Sequence, residues 1–261
     1  MTIRKIIKKI MPSFLTRLFY SFRLTQVRSP FEGVYLNWDE VPTVGSDHQD
    51  DQWAYTVSDT TQSLINLNES NFVPAGVTGE VALLPLIAAL APAPLRIIDW
   101  GGATGFGFLS VIYGAIDRIE KYVVVEYPRV CKEGALLFKD TRISFVDEIP
   151  QEAFDLVLLG SSLQYAKDYK KILKQLAGPR YILLTKTPAG DNVTFVTCQV
   201  NLPGKKHPYW IFNINELVSI LAELGYKLIF KSAISWDIDQ SEFEPQYRVG
   251  RCCNLLFEKV I

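Results

Sequence analysis

Apolar and polar positions change rhythm several times along the chain. Ile3, Ile6, Ile7 and Ile10, then Phe14, Leu15, Leu18, Phe19 and Phe22 after Pro12, recur at helical spacing with bases between them. Residues 29–52 lose that periodicity. Ser29-Pro30, Pro42, Gly45 and the polar run from Asp47 to Asp51 predict loop there. Helical character returns over Trp53 to Leu67 and Glu80 to Leu90. From Arg96 onward, apolar runs of strand length alternate with amphipathic stretches. Strands are predicted at 96–100, 121–126, 143–146, 154–159 and 180–186, and helices at 107–115, 129–138, 168–177 and 214–224. This alternation implies a parallel sheet with helices on both faces. Two late strands, 226–234 and 252–259, flank an acidic loop and are expected to pair antiparallel at one side of the sheet. The expected fold is α/β: a doubly wound, mostly parallel, seven-stranded sheet. The expected division is an arm at 1–28, a linker or lid with a helix at 29–76, and the sheet domain at 77–261.

Composition narrows the class. Of 261 residues, 48% are hydrophobic and 21% charged, which is globular and excludes a mainly disordered, collagenous or fibrous chain. The apolar, uncharged stretch Val81 to Leu95 is broken by Pro85, Pro92 and Pro94 and is too short to span a bilayer. The net charge of −1 hides an asymmetry. Arg4, Lys5, Lys8, Lys9, Arg17, Arg23 and Arg28 face no acid before Glu32, so the acids gather in the rest of the chain. A basic arm on an acidic body argues against a nucleic-acid partner. Bases interrupt any apolar core in the arm and no small-residue cleavage site follows, so a signal peptide is a poor reading. Two readings of the arm stay open: a helix packed on its own domain or a partner chain, and an interfacial helix on an anionic membrane. Cys131, Cys198, Cys252 and Cys253 form no C-x-x-C pair, and His48 and His207 lie far apart in sequence, so no metal site is expected. The thiols indicate a reducing, cytoplasmic compartment, with the inner membrane face as the arm's alternative contact.

The strongest local signal is Arg96-Ile-Ile-Asp99-Trp-Gly101-Gly102-Ala103-Thr-Gly105-Phe-Gly107-Phe108. A strand runs into Asp99, glycines crowd the turn, and a helix follows. Glycines allow a sharp bend and let a ligand lie against bare amides, and the first such turn of a doubly wound sheet is its usual binding crevice. A dinucleotide fingerprint fits poorly: in Gly105-Phe-Gly107-Phe-Leu-Ser110 the third glycine is a serine. A carboxylate at Asp99 would repel a pyrophosphate and suit a ligand carrying an ammonium and a sulfonium.

Asp99-Trp-Gly101-Gly102-Ala103-Thr-Gly105 resembles the first motif of class I S-adenosylmethionine-dependent methyltransferases, with Ala103 in place of the usual middle glycine. The resemblance covers about residues 77–261 and implies S-adenosylmethionine as cofactor. It assigns the cofactor to Asp99, Gly101, Gly102, Ala103 and Gly105. Glu126 with Tyr127 would meet the ribose hydroxyls, Asp147 with Glu148 the adenine, and Gly160 with Ser161 the edge of the fourth strand. Taken singly, Asp99 reads equally as a turn cap, Glu126 as a solvated strand end, and Asp147-Glu148 as an exposed acidic loop. A further resemblance is to bacterial methyltransferases of surface-polysaccharide gene clusters. It rests on Phe31-Glu-Gly-Val-Tyr35-Leu-Asn-Trp38, Ser161-Ser-Leu-Gln-Tyr165, Thr185-Lys-Thr-Pro188 and His207-Pro-Tyr-Trp-Ile-Phe-Asn213. It implies a reaction class and a surface-polysaccharide context rather than a substrate, and the expected acceptor is a small molecule or a carbohydrate.

Methyl transfer to a hydroxyl needs alignment, exclusion of water and a base. Candidate catalytic residues are His207, Tyr165 and Asp191, and His207 has the best intrinsic pKa. Gln164, Lys186, Tyr209 and Trp210 are candidates for acceptor binding, and segment 207–212 reads either as a sugar-stacking lid or as a loop anchored to the core. Two rival functions remain: a nicotinamide-dependent oxidoreductase, and a catalytically inactive methyltransferase-fold partner protein tethered at a membrane.

Overall fold

A computed structural model gives the conformation of residues 29–45, 48–69, 79–112, 115–202, 204–235 and 240–260. The arm, residues 1–28, lies outside the described residues, and so do both readings of it. In chain order the described elements are β1 (Phe31–Tyr35), α1 (Asp51–Glu69), α2 (Gly79–Leu90), β2 (Leu95–Trp100), α3 (Phe106–Ile112), β3 (Ile119–Val125) and α4 (Pro128–Leu137). Then come β4 (Ile143–Val146), β5 (Leu156–Gly160), α5 (Tyr169–Leu176), β6 (Tyr181–Thr187), β7 (Ala189–Gly190), β8 (Phe195–Gln199), β9 (His207–Asn213), α6 (Ile214–Glu223), β10 (Tyr226–Ser235) and β11 (Arg251–Lys259).

The central sheet has seven strands in the order β10-β11-β6-β5-β2-β3-β4. From β6 to β4 every pairing is parallel, while β11 runs antiparallel to both β6 and β10. The strands are apolar on both faces because both faces are covered. Ile98, Val157, Leu159, Ile182 and Leu184 pack with Leu173 of α5 and Leu217 and Leu221 of α6. Their neighbours Ile97, Leu156, Leu158 and Leu183 pack on the opposite face with Leu84 of α2 and Phe108 of α3. Two helix starts are capped by the residues just before them. The Asp168 carboxylate accepts from the Lys171 amide, and the Asn213 side-chain oxygen accepts from the Asn215 and Glu216 amides. No described helix is long and apolar enough to cross a membrane.

A second sheet, in the order β1-β8-β9-β7, grows out of the chain where it leaves β6. It corrects two expectations. Phe31–Tyr35 is strand rather than loop, paired antiparallel with β8 so that Phe31 faces Gln199. Segment 207–213 is a strand inside this sheet rather than a lid, with His207 opposite Gln199. The reason is long-range pairing: β1 finds its partner more than 160 residues away, and β8 is buried at all five positions, so neither strand has an alternating signature. After β1 the chain runs as a strap, residues 36–45 and 48–50, fastened to the β8–β9 turn. Val44 and Lys206 exchange backbone hydrogen bonds of 2.9 and 3.0 Å, and Lys205 reaches Asp50 at 2.5 Å.

Candidate active site

The glycine turn is built around a buried carboxylate. Asp99 ends β2 at 1% exposure, and the Tyr122 hydroxyl donates to its Oδ2 at 2.7 Å. Its Oδ1 is buried and has no hydrogen-bond partner. Burial pushes this carboxyl up to about 7, against the pull of the Tyr122 hydrogen bond, and the neighbouring Glu126 charge adds to the rise. Gly102 passes so close that a Cβ there would collide with the Asp99 carboxyl group. Gly101 has φ +70°, its amide bonds the Val125 carbonyl at 2.9 Å, and a Cβ would strike Ser162. At the end of β3, Glu126 accepts from the Ala103 amide at 3.1 Å and from the Tyr127 amide at 3.0 Å. Burial raises its pKa as well, opposed by those two amides and by the nearby His48.

Three more features gather at the carboxyl edge of the sheet. Among the described residues, the non-glycine positions in left-handed backbone are Ala103 (φ 50°), Ser161 (φ 56°) and Lys186 (φ 50°). One follows each of β2 and β5 and one sits at the end of β6, and all three line the same cavity. Left-handed backbone costs a non-glycine residue on the order of 1–3 kcal/mol and concentrates at functional sites. Hydrogen bonds hold these turns. The Ser162 hydroxyl donates to the Trp100 carbonyl at 2.6 Å, the Gln164 amide donates to Ser161 Oγ at 3.0 Å, and the Lys186 N–H donates to Asn254 Oδ1 at 2.9 Å.

The cavity measures about 580 Å³. Its floor is the strand-end row Asp99 to Ala103, Glu126, Asp147 and Gly160 to Ser162. Its roof comes from elsewhere in the chain. Trp53 and Val57 of α1 face it, and Thr61 anchors that helix through a 2.7 Å hydroxyl contact to Thr104, which also donates to the Val57 carbonyl at 3.0 Å. His48 descends from the strap, its ring centroid 4.5 Å from Trp53 and from Tyr165, and 4.9 Å from His207.

No protein-family model matches the chain, and no curated protein matches it in sequence. Solved structures do match. A candidate methyltransferase of Haloferax volcanii, solved in complex with the Trm112 methyltransferase activator, aligns with a TM-score of 0.53 at 15% identity, over 81% of this chain and 95% of that one. A SAM-dependent methyltransferase of Methanosarcina mazei aligns with a TM-score of 0.51 at 12% identity, over 68% of this chain and 98% of that one. Identities this low speak for fold alone. The fold is the Rossmann-like fold of class I methyltransferases.

On this methyltransferase fold, Asp99, Gly101, Gly102, Ala103, Glu126, Tyr127, Asp147, Gly160, Ser161, Tyr165 and Lys186 converge on the cavity. Other expected site residues do not line it. Gly105 backs the turn against Phe138 and Ile143, and Glu148 lies outside the lining. Gln164 is fully buried beneath Ser161. His207 is 1% exposed with its Nε2 2.7 Å from Gln199 Oε1, because strand alternation turns it inward against its cross-strand neighbour. Tyr209 packs on Phe31 at 4.9 Å, and the Trp210 indole N–H donates to the Ala166 carbonyl, so both belong to the packing of the second sheet. Asp191 lines a separate recess of about 350 Å³ with Lys231, Arg248 and Arg251. His48, Trp53, Val57 and Thr185 line the cavity and were not expected there. Trp53, Val57 and Thr61 at i, i+4 and i+8 do mark one helix face, whereas nothing in the sequence connects His48 to the glycine turn.

Proposed function

We propose that the protein is an S-adenosylmethionine-dependent methyltransferase acting on a small-molecule, hydroxyl-bearing acceptor of carbohydrate type. The observation that carries this reading is the buried, unpartnered Oδ1 of Asp99 beside Glu126, at adjacent strand ends of a methyltransferase fold. An orphaned buried acceptor is costly unless a ligand donor completes it. A cavity floored by Asp99, Glu126 and Asp147 favours a cationic ligand over a diphosphate. The residues fit the nucleoside: Asp99 for its ammonium group, Glu126 for the vicinal ribose hydroxyls through lone pairs its two amides leave open, and Asp147 for the adenine edge.

When bound, S-adenosylmethionine supplies a methyl group activated by its sulfonium. The chain's own part is to align and to exclude water. The left-handed turns at Ala103, Ser161 and Lys186 hold the floor, while Trp53, Val57 and the strap close the roof. Trp53 and Tyr165 offer flat faces with polar edges to an acceptor ring. The segments behind the resemblance to polysaccharide-cluster methyltransferases adjoin this end. Phe31–Tyr35 and His207–Asn213 are strands of the second sheet, Tyr165 ends Ser161–Tyr165, and Lys186 lies in Thr185–Pro188. Titration calorimetry tests the reading: S-adenosylhomocysteine binds stoichiometrically and NAD does not. NAD binding in place of S-adenosylhomocysteine overturns it.

A further inference from the structure

The chain has two histidines, and the fold brings their rings within 4.9 Å of each other, His48 in the cavity lining and His207 behind it. We propose that His48 is the base that accepts the acceptor's proton, and that His207 and Gln199 are positioning residues that hold its ring. This rests on the methyltransferase reading above and names the catalytic group within that site.

Position argues for His48 over the other candidates. It lines the cavity, whereas His207 lies behind it on the second sheet. Three rings box it in: Trp53 at 4.5 Å and 75°, Tyr165 at 4.5 Å and 69°, and His207 at 4.9 Å and 65°. The His207 ring is itself fixed by its 2.7 Å contact with Gln199. The strap that carries His48 is pinned on both sides of it, by the Val44–Lys206 bridge and by the Asp50–Lys205 ion pair. Chemistry agrees. Tyr165 and Lys186 also line the cavity, but imidazole is the side-chain type best suited to exchange a proton near neutrality. Glu126, held by two backbone amides, is assigned to the ribose hydroxyls. In the transfer, the acceptor hydroxyl gives its proton to a His48 ring nitrogen and an electron pair to the methyl carbon. That carbon's former bonding pair stays on the donor's sulfur, so an imidazolium and a neutral thioether result.

Tyr165 and His207 touch the His48 ring, Glu126 lies within its electrostatic reach, the Asp50–Lys205 pair flanks it on the strap, and Asp99, Asp147 and Lys186 line the same cavity. None of them changes between a complex with S-adenosylmethionine and one with S-adenosylhomocysteine, which differ by the methyl group and its positive charge. A histidine facing the reacting centre senses that charge directly.

The experiment is an NMR pH titration of both imidazoles in the full chain, saturated with each nucleoside in turn. His48→Gln assigns the two signals, and calorimetry with S-adenosylhomocysteine is run on the wild type and the variant. The midpoint of His48 falls by at least about half a pH unit in the S-adenosylmethionine complex relative to the S-adenosylhomocysteine complex. His207 moves less, and the variant binds S-adenosylhomocysteine within about twofold of wild type. Equal His48 midpoints in two demonstrably saturated complexes overturn the base assignment and leave the donor site standing. A variant that folds but loses S-adenosylhomocysteine affinity moves His48 into the donor site instead, which also overturns it. Failure of either nucleoside to bind the wild type removes the methyltransferase reading, and the base with it.

Discussion

The floor and the roof of the cavity enclose the same space but are held by different forces. The floor is backbone: consecutive parallel strands end side by side, their turns are bonded amide to carbonyl, and a Cβ at Gly101 or Gly102 meets a neighbouring side chain. The roof is side chains: an indole, a valine and an imidazole, Trp53 and Val57 on a helix tied through Thr61 and His48 on a strap tied through Val44 and Lys205. Close-packed backbone has no room to relax, so changes in the floor remove the site. One buried hydroxyl pair and a half-buried bridge and ion pair are individually weak ties, so changes in the roof loosen it. A rigid backbone floor under a roof of side chains is what this difference produces, and the proposed reading assigns the methyl donor to the floor and the acceptor to the roof.

The comparison breaks hardest at Gly102. Gly102→Val drives two methyl groups toward the Asp99 carboxylate. It lowers stability by about 3 kcal/mol in chemical denaturation and S-adenosylhomocysteine affinity by at least about 100-fold in calorimetry.

Asp99→Asn keeps the shape and removes the charge, at a cost of about 10- to 100-fold in affinity above pH 8. It also changes the pH dependence. Because the folded carboxyl holds its proton up to about 7, wild-type affinity for the cationic ligand rises as pH climbs through 7, and the variant's stays flat. The same raised value stabilises the fold fully only below the unfolded carboxyl's pKa. That stability is lost as pH rises toward 7, a decline that denaturation of the variant lacks.

Effects shrink in the roof. Thr61→Val deletes the hydroxyl contact to Thr104 and costs about 1 kcal/mol, read as a fall of about 2–4 °C in melting temperature. Lys205→Ala releases Asp50 and costs at most about 1 kcal/mol of global stability, while amide exchange at Val44 speeds up. A Lys205→Ala effect as large as that of Gly102→Val contradicts the division between floor and roof.

The floor was legible in the sequence because it is local. One strand, one bend and one helix between Arg96 and Ile112 place Asp99, Gly101, Gly102 and Ala103, and the regular strand spacing carries Glu126, Asp147 and Ser161 to the same edge. The roof was legible only in outline, as the lid alternative for 29–76, because its contacts are assembled from distant segments. His48 reaches Tyr165 only after β1 has paired with β8 and the strap has crossed to Lys206. His207, expected as a base for its intrinsic pKa, is turned toward Gln199 by alternation along β9, and His48 is the histidine that lines the cavity.

A crystal structure with S-adenosylhomocysteine decides whether Asp99 and Glu126 hold the nucleoside. Density is expected along the strand ends, with the amino group on Asp99 Oδ1 and the ribose on Glu126, beneath Trp53. Density for the nucleoside anywhere else, or a well-diffracting crystal grown in saturating ligand whose Asp99 oxygen still lacks a partner, contradicts it.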